Sequence, residues 1–267
     1  MSNLFQKTIL KKVDFKGVGL HDGLESTIKI IPADVNYGIL FKRTDLEKNN
    51  TIKANFENVS STKLCTTIQN NFNVSISTVE HLLAALYITG IDNALIEISA
   101  PEVPIMDGSS KEFVETILKT GTKEQKIKKK YLKILKKFEI KDNEKFISIE
   151  PNENSLNVDF ELVYSNNVIG KQRNQINFSD KDLSNVYTSR TFCLFEDVEK
   201  IKPCLSSPYP WNQAATTGPE IPIAPWLKPH KAYGLRRLTS DSTNAMDVSS
   251  PSYVSLPPSS KKEGICS

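Results

Sequence analysis

The sequence has few cysteines and no long apolar run. Its four cysteines are far apart and form no CxxC pair, which favours a reduced, cytoplasmic setting. They are Cys65, Cys193, Cys204 and Cys266. No stretch approaches the roughly 18 apolar residues of a membrane-spanning helix, and the N-terminus does not resemble a secretory leader. We therefore expect a protein that makes at most peripheral contact with a membrane.

An excess of charge of either sign is also missing. The chain has 34 Lys and Arg against 31 Asp and Glu, so composition requires neither a nucleic-acid partner nor an anionic membrane. The exception is residues 123–137, which contain eight lysines among apolar residues. This stretch is either a basic patch for phosphate or RNA, or a solvated linker that runs into a strand. We favour the linker and expect no nucleic-acid partner; a nucleic-acid-binding module is the alternative.

Alternation of polar and apolar residues predicts several short strands in the first half of the chain. They cover residues 6–19, 26–31, 38–43, 51–56 and 94–100. The first should enter a tight turn at its two glycines, and the second should end at Pro32.

Two stretches have helical spacing instead. Residues 74–86 place Val79, Leu82, Leu83 and Leu86 on one face, and residues 112–120 place Phe113, Ile117 and Leu118 at helical spacing before Gly121. Strands combined with helices predict the α+β class. The pattern closes a first domain over residues 1–122.

The rest of the chain divides into two parts. Residues 123–202 contain the lysine-rich stretch and strands predicted at 146–150 and 156–164, which resemble the start of a second α+β domain. Ten of the fourteen prolines and both tryptophans follow from residue 203 onwards. Closely spaced prolines prevent helices and central strands, so residues 203–267 are predicted to be an irregular tail.

The stretch STVEHLLAAL, residues 77–86, contains the most informative residues for chemistry. A helix that begins near Ser77 places Glu80 and His81 in its first turns, about 100° apart around the axis. Glu80 could then act on a water as general base while His81 binds a metal.

A structural interpretation competes with this catalytic one. Ser77 and Glu80 have capping-box spacing, in which the carboxylate bonds back to the N-cap amide. A lone histidine beside leucines is usually a packed core residue. Spacing alone leaves both interpretations open and favours the structural one.

A longer string points to a family. Residues 77–110, STVEHLLAALYITGIDNALIEISAPEVPIMDGSS, resemble the zinc-dependent UDP-3-O-acyl-N-acetylglucosamine deacetylases of lipid A biosynthesis. The resemblance includes KTILKKVDFKGVGLHDG from residue 7, STKLCTT from residue 61 and SRTFCLFEDVE from residue 189. It covers residues 4 to about 200 and implies a two-domain, two-layer α+β sandwich, with its second domain incomplete in this chain.

The resemblance also implies an activity and a set of site residues. Zn²⁺ would be bound by His81, with Glu80 as general base for hydrolysis of the acetamide of UDP-3-O-acyl-N-acetylglucosamine. Thr191 would stabilise the oxyanion, while Leu64, Cys65 and Phe192 would contact the substrate. We expect such a protein to be a cytoplasmic monomer.

Three residues near these positions are interpreted as structural. Asp107 and Gly108, in PIMDGSS, are typical of a turn and of an N-cap, because Asp before Gly and Ser is strong turn chemistry. His21 is expected to make structural hydrogen bonds rather than to bind metal.

The remaining zinc ligands of the family have no counterpart here. The resemblance implies a His and an Asp four residues apart, but in HKAYG the residue four positions after His230 is Gly234, which cannot bind a metal. Asp241 and Asp247 lie in surroundings unlike the family, and we do not expect them to be ligands. The alternative hypothesis is therefore a truncated or frameshifted family member without activity.

Overall fold

The structure is a computed structural model that describes residues 4–153, 155–165, 169–178 and 183–192. In chain order the strands are β1 (Phe5–Ile9), β2 (Val13–Val18), β3 (Glu25–Pro32), β4 (Ile39–Arg43), β5 (Thr51–Lys53), β6 (Val59–Ser61), β7 (Thr67–Gln69), β8 (Ser75–Ile76), β9 (Ala94–Ile98), β10 (Thr122–Lys128), β11 (Phe138–Asp142), β12 (Lys145–Ile149), β13 (Asn157–Val163) and β14 (Lys171–Asn177). The helices are α1 (Glu80–Thr89), α2 (Lys111–Thr120) and the short α3 (Ser184–Tyr187), with a 3-10 turn at Phe56–Asn58.

A five-stranded sheet organises the first part of the chain. Its strand order is β2-β3-β9-β4-β5, and only β4 and β9 run parallel. Burial alternates along the central strands, as expected for a sheet with one covered face. Ile28 and Ile30 of β3 and Ile96 and Ile98 of β9 are fully buried.

Helices α1 and α2 cover that face. Leu82 and Leu86 of α1 and Phe113 and Ile117 of α2 belong to the same buried cluster as the sheet residues. The rings of Phe113 and Phe15 of β2 meet edge to face, with centroids 4.9 Å apart. One layer of sheet and one layer of helix therefore share a single apolar core.

Smaller sheets border this core. β6, β7 and β8 form a three-stranded antiparallel sheet directly before α1, and β1 pairs antiparallel with β10. The side chain of Asn93 joins the latter pair to the end of α1, because its amide donates to Gln6 Oε1 at 2.8 Å and to Gln125 Oε1 at 2.7 Å.

The later described residues form two antiparallel hairpins, β11–β12 and β13–β14. The register of the first hairpin pairs Phe138 with Ile149 and Ile140 with Ile147, so all four side chains stand on one face. These residues are 51%, 48%, 70% and 69% exposed, respectively. The hairpin has the pattern of a one-sided sheet whose apolar face is not covered by the residues that the structure describes.

The predicted α+β class is confirmed, and several strand predictions agree with the structure. The strand predicted at 26–31 is β3, and it ends at Pro32 as expected. The prediction of one strand over 6–19 was wrong. The chain forms β1 and β2 there because β1 pairs with β10 whereas β2 pairs with β3, and the chain changes sheet between them.

Two helix predictions need correction. The helix predicted over 74–86 begins only at Glu80, because residues 75–76 form β8 and Thr78 has a left-handed φ of 58°. In α2, Phe113 and Ile117 are buried as expected, but Leu118 is 59% exposed because it lies about 100° further around the helix than Ile117.

The linker interpretation of residues 123–137 was wrong for its first part. Residues 122–128 are strand β10, hydrogen-bonded to β1, and only residues 129–137 lack regular structure. The predicted division into 1–122, 123–202 and 203–267 stays a prediction. The predicted tail lies outside the described residues.

Candidate active site

Glu80 is the first residue of α1 and faces the loop before β7. Its carboxylate accepts the Thr66 backbone N–H at 3.0 Å. The capping-box interpretation was therefore wrong: the N-cap residue is Val79, no side chain caps the helix, and the Ser77 amide donates to Pro101 O instead. Burial raises the pKa of the Glu80 carboxyl above its ordinary value, against the opposing hydrogen bonds.

His81 is the second residue of α1 and is 6% exposed. Its ring makes no hydrogen bond to any of the residues that the structure describes, although its backbone carbonyl accepts the Ser110 hydroxyl at 2.9 Å. Burial lowers the pKa of His81 to about 4, and the Asp107 charge only partly opposes this. The imidazole is therefore neutral at neutral pH, which is the form that binds metals.

Asp107 and Gly108 form the turn before α2. The Asp107 carboxylate accepts the backbone N–H and the hydroxyl of Ser109, at 3.0 and 2.5 Å, and Gly108 has a φ of 83°. The predicted turn is confirmed, but the N-cap prediction was wrong because Ser110 occupies that position.

The same turn holds the segment that contains Thr191. Arg190 Nη2 donates to Asp107 Oδ2 at 3.0 Å, and the Thr191 backbone N–H donates to Gly108 O at 2.8 Å. These bonds hold Thr191 beside the turn that contains Asp107, whose negative charge raises the pKa of His81. The Phe192 ring lies 5.8 Å from that of Tyr164, between centroids.

Leu64 and Cys65 directly precede Thr66, the residue that donates to Glu80. Leu64 has a left-handed φ of 66°, which is unusual for a branched residue. Cys65 is half-buried, and its Sγ lies 3.8 Å from Thr67 Oγ1. The structure thus places Leu64 and Cys65 beside Glu80, and Thr191 beside the turn near His81.

Sequence reasoning missed a buried carboxylate behind α1. The Glu102 side chain is 1% exposed and accepts the Thr78 hydroxyl at 2.6 Å and the backbone N–H groups of His21 and Asp22, each at 2.9 Å. The two backbone N–H groups bond Oε2, whereas the Thr78 hydroxyl bonds Oε1, and His21 Nδ1 lies 2.7 Å from that same Oε1. His21 thus makes the hydrogen bonds expected of it. The only sequence signal for Glu102 is a single acid within the apolar string SAPEVPIM.

Glu102 is linked electrostatically to the start of α1. Burial alone would raise its pKa, but hydrogen bonds from His21, Thr78 and the Asp22 amide hold the pKa at about 2. Burial alone would lower the pKa of His21, yet the contact with Glu102 raises it above the ordinary value. Both charges act on Glu80, with His21 lowering and Glu102 raising its pKa.

The described residues do not complete a zinc site. A catalytic zinc normally has three protein ligands and a water. Among the residues that the structure describes, no group of three His, Cys, Asp or Glu side chains could hold a metal ion. His81, with its buried neutral ring, suits one ligand position. His230, Gly234, Asp241 and Asp247 lie outside the described residues.

Comparison with known proteins identifies the family. A family model described as UDP-3-O-acyl N-acetylglycosamine deacetylase matches residues 6–204. The chain belongs to this family. The match confirms the predicted family and ends one residue beyond position 203, where the irregular tail was predicted to begin.

Individual members of this deacetylase family agree. Proteins named UDP-3-O-acyl-N-acetylglucosamine deacetylase are 42% identical over 205 residues in Shewanella frigidimarina and 41% identical over 202 residues in Shewanella violacea and Shewanella woodyi. Each alignment covers 74% of this chain and 66% of the relative, so the chain spans just under two thirds of their length. In the described part of the chain, every helix is too short or too polar to span a bilayer.

Proposed function

We propose that the chain hydrolyses the acetamide of UDP-3-O-acyl-N-acetylglucosamine and releases acetate, a step of lipid A biosynthesis. The family match and the named relatives support the substrate and the reaction. The observation that carries the proposal is the start of α1, where the partly buried Glu80 carboxylate, whose pKa is raised, adjoins the buried neutral imidazole of His81. A cytoplasmic, monomeric enzyme is part of the same proposal.

Glu80 is the proposed general base. A water attacks the acetamide carbonyl, a C–O bond forms, and Glu80 takes the proton that the water loses. The C–N bond then breaks, and the proton passes from Glu80 to the leaving amine, so that acetate and an amino sugar result. The raised pKa suits this role, because a carboxylate with a raised pKa is a stronger base and takes the proton from the water more readily.

The other site residues have proposed binding roles. The Thr191 hydroxyl stabilises the oxyanion. The hydrogen bond from the Thr191 backbone N–H to Gly108 O positions this residue. Phe192 contacts the substrate from the side of Tyr164, while Leu64 and Cys65 contact it beside Glu80. Zn²⁺ is the proposed cofactor, with His81 as one of its ligands.

A family member without activity is the second candidate. Within the described residues, His81 is the single ligand that we assign, and no three-residue metal site forms. The family match stops at residue 204, and the β11–β12 hairpin leaves its apolar face exposed. These observations favour a chain that has lost the remaining ligands and the elements that would cover the hairpin.

One assay separates the two candidates. The whole purified chain is incubated with UDP-3-O-acyl-N-acetylglucosamine, and bound zinc is measured on the same sample. If the enzyme is active, chelation abolishes turnover and Glu80→Gln lowers kcat by about 10²–10⁴-fold. Glu25→Gln is the matched control, because Glu25 is 67% exposed in a surface pair with Lys16 and should leave kcat unchanged.

The opposite result is equally clear. Absence of turnover together with absence of stoichiometric zinc would refute the enzyme proposal and support the inactive candidate. Turnover that survives Glu80→Gln would instead refute the assignment of the base.

A further inference from the structure

Positive charge is concentrated in one short segment. Residues 126–137, here called the basic segment, contain seven lysines and no acidic residue, whereas the whole chain has a net charge of only +3. The rest of the chain is therefore net negative. A charge run of this kind is usually only a solvated face. Its position in the fold and the apolar residues within it therefore decide whether it is a binding surface.

The first lysines of the basic segment lie on β10. Gln125 points inward, where it bonds Ala33 O at 2.8 Å and Asn93 at 2.7 Å. Lys126 and Lys128 are both exposed, in the part of β10 where its register with β1 shifts. Within the described residues they form no ion pair.

Lys129 anchors the segment to the body of the protein. Its Nζ lies 2.9 Å from Asp92 Oδ2 and 3.2 Å from Gly90 O, and the side chain is 14% exposed. Its backbone N–H donates to Leu4 O at 2.9 Å, which places Leu4 beside the segment. The remaining lysines of the segment are exposed.

Large apolar side chains are exposed among these lysines. Leu132 is 90% exposed, Leu135 79%, Tyr131 69% and the adjacent Leu4 52%. A segment that is only solvated has no reason to expose two leucines between lysines. Exposed leucines flanked by lysines are the composition of a surface that lies at a bilayer interface.

We propose that the basic segment docks on the surface of an anionic lipid bilayer. Lys126, Lys128, Lys130 and Lys133 contact lipid phosphates, and Leu132 and Leu135 enter the interface between headgroups and acyl chains. Charge complementarity selects this partner, because the segment has six exposed cationic side chains besides the paired Lys129, and the bilayer supplies a continuous array of anionic headgroups.

RNA is the competing polyanion and is less well matched. Single-stranded RNA is bound by lysines or arginines together with aromatic side chains that stack on bases. The basic segment has one aromatic residue, Tyr131, and its most exposed large apolar side chain is Leu132. Leucines contribute to binding at a bilayer interface but do not stack on bases.

The test is sedimentation of the whole chain with lipid vesicles. Phosphatidylcholine vesicles that contain one-third phosphatidylglycerol should bind the chain, pure phosphatidylcholine vesicles should not, and added salt should weaken binding. Lys130→Gln with Lys133→Gln should lower the partition coefficient about 25-fold, at about fivefold for each lysine. Leu132→Ser with Leu135→Ser should lower it roughly tenfold.

Matched controls distinguish this surface from general charge effects. Lys48→Gln with Lys53→Gln removes the same charge from exposed positions near β5 and should leave binding unchanged. The altered side chains are exposed, so the unfolding midpoint of each variant should equal that of the parent chain.

Three results would overturn the proposal. They are equal binding to neutral and anionic vesicles, equal loss in the Lys48 and Lys53 control, and retention of a single-stranded RNA that depends on the lysines but not on the leucines, without vesicle binding. None of these measurements depends on deacetylase activity, so failure here leaves the proposed function untouched.

Discussion

Glu102→Gln should destabilise the protein by about 2–4 kcal/mol at neutral pH. The replacement keeps the shape of the side chain but removes its charge. The amide oxygen can still accept the His21 and Asp22 backbone N–H groups, and its NH₂ then faces the Thr78 hydroxyl and the His21 ring. Four charge-assisted hydrogen bonds become neutral ones, each weaker by roughly 0.5–1 kcal/mol.

The depressed pKa of Glu102 has the same hydrogen bonds as its cause and agrees in order of magnitude. The folded-state value of about 2 lies below the ordinary 4.5, a difference worth about 3 kcal/mol. Because the folded pKa is depressed, this stability is fully present above pH 4.5 and is lost as the pH falls towards 2. The parent chain and the Gln variant should therefore approach each other in stability as the pH falls.

Urea unfolding followed by far-ultraviolet circular dichroism, at pH 7 and at pH 3, measures this difference. Glu97→Gln is the control: Glu97 of β9 accepts a hydrogen bond from Lys42 of β4 at 3.1 Å in a partly exposed pair, and its replacement should cost under about 1 kcal/mol. A Glu102→Gln effect below about 0.5 kcal/mol at pH 7, or an equal effect at both pH values, would refute the reasoning.

Two further predictions concern α1 and the first hairpin. In protein treated with a chelator, the low pKa of His81 should lower the free energy of unfolding as the pH falls from 6.5 to 4, by up to about 1.4 kcal/mol per pH unit. His81→Leu should remove this pH dependence from the urea-unfolding profile. An unchanged slope would contradict a buried neutral imidazole. Ile140→Lys should change the free energy of unfolding by less than about 0.5 kcal/mol and reduce binding of a hydrophobic dye, because Ile140 is 70% exposed. A loss of stability above about 2 kcal/mol would mean that the apolar face of the β11–β12 hairpin is covered.

Local sequence patterns were sufficient to predict those strands and helices whose structure depends mainly on residues within the same element. Alternation in β3 and the proline at its end located that strand, and Phe113 and Ile117 located the buried face of α2. The start of α1 could not be predicted in this way. Thr78 has a left-handed φ and bonds Glu102, which lies 24 residues further along the chain. No local pattern reveals a contact of that separation.

In the candidate site, too, local features could be predicted from the sequence and long-range contacts could not. Glu80 and His81 are adjacent, so the string that contains them is recognisable in the amino-acid sequence alone. The partners that define their chemistry are distant in sequence: Thr66 precedes Glu80 by 14 residues, and Arg190 is 83 residues from Asp107. The capping-box interpretation failed because the Glu80 carboxylate bonds Thr66 rather than a neighbour on its own helix.

The pairing of β1 with β10 determines the order in which the protein can assemble. β1 ends at Ile9, but its partner strand begins at Thr122. Closing a loop of that length costs about 2 kcal/mol more than closing a ten-residue loop, and a ribosome needs roughly 6–20 s to make the intervening chain.

β1 also bonds residues that are synthesised before β10. Asp92 Oδ2 accepts the Lys7 N–H at 2.7 Å, and Asn93 O accepts the Thr8 hydroxyl at 2.7 Å. Nascent β1 can therefore dock at the end of α1 while its other edge waits for β10. Folding of the N-terminal strand is completed only after residue 128 has left the ribosome.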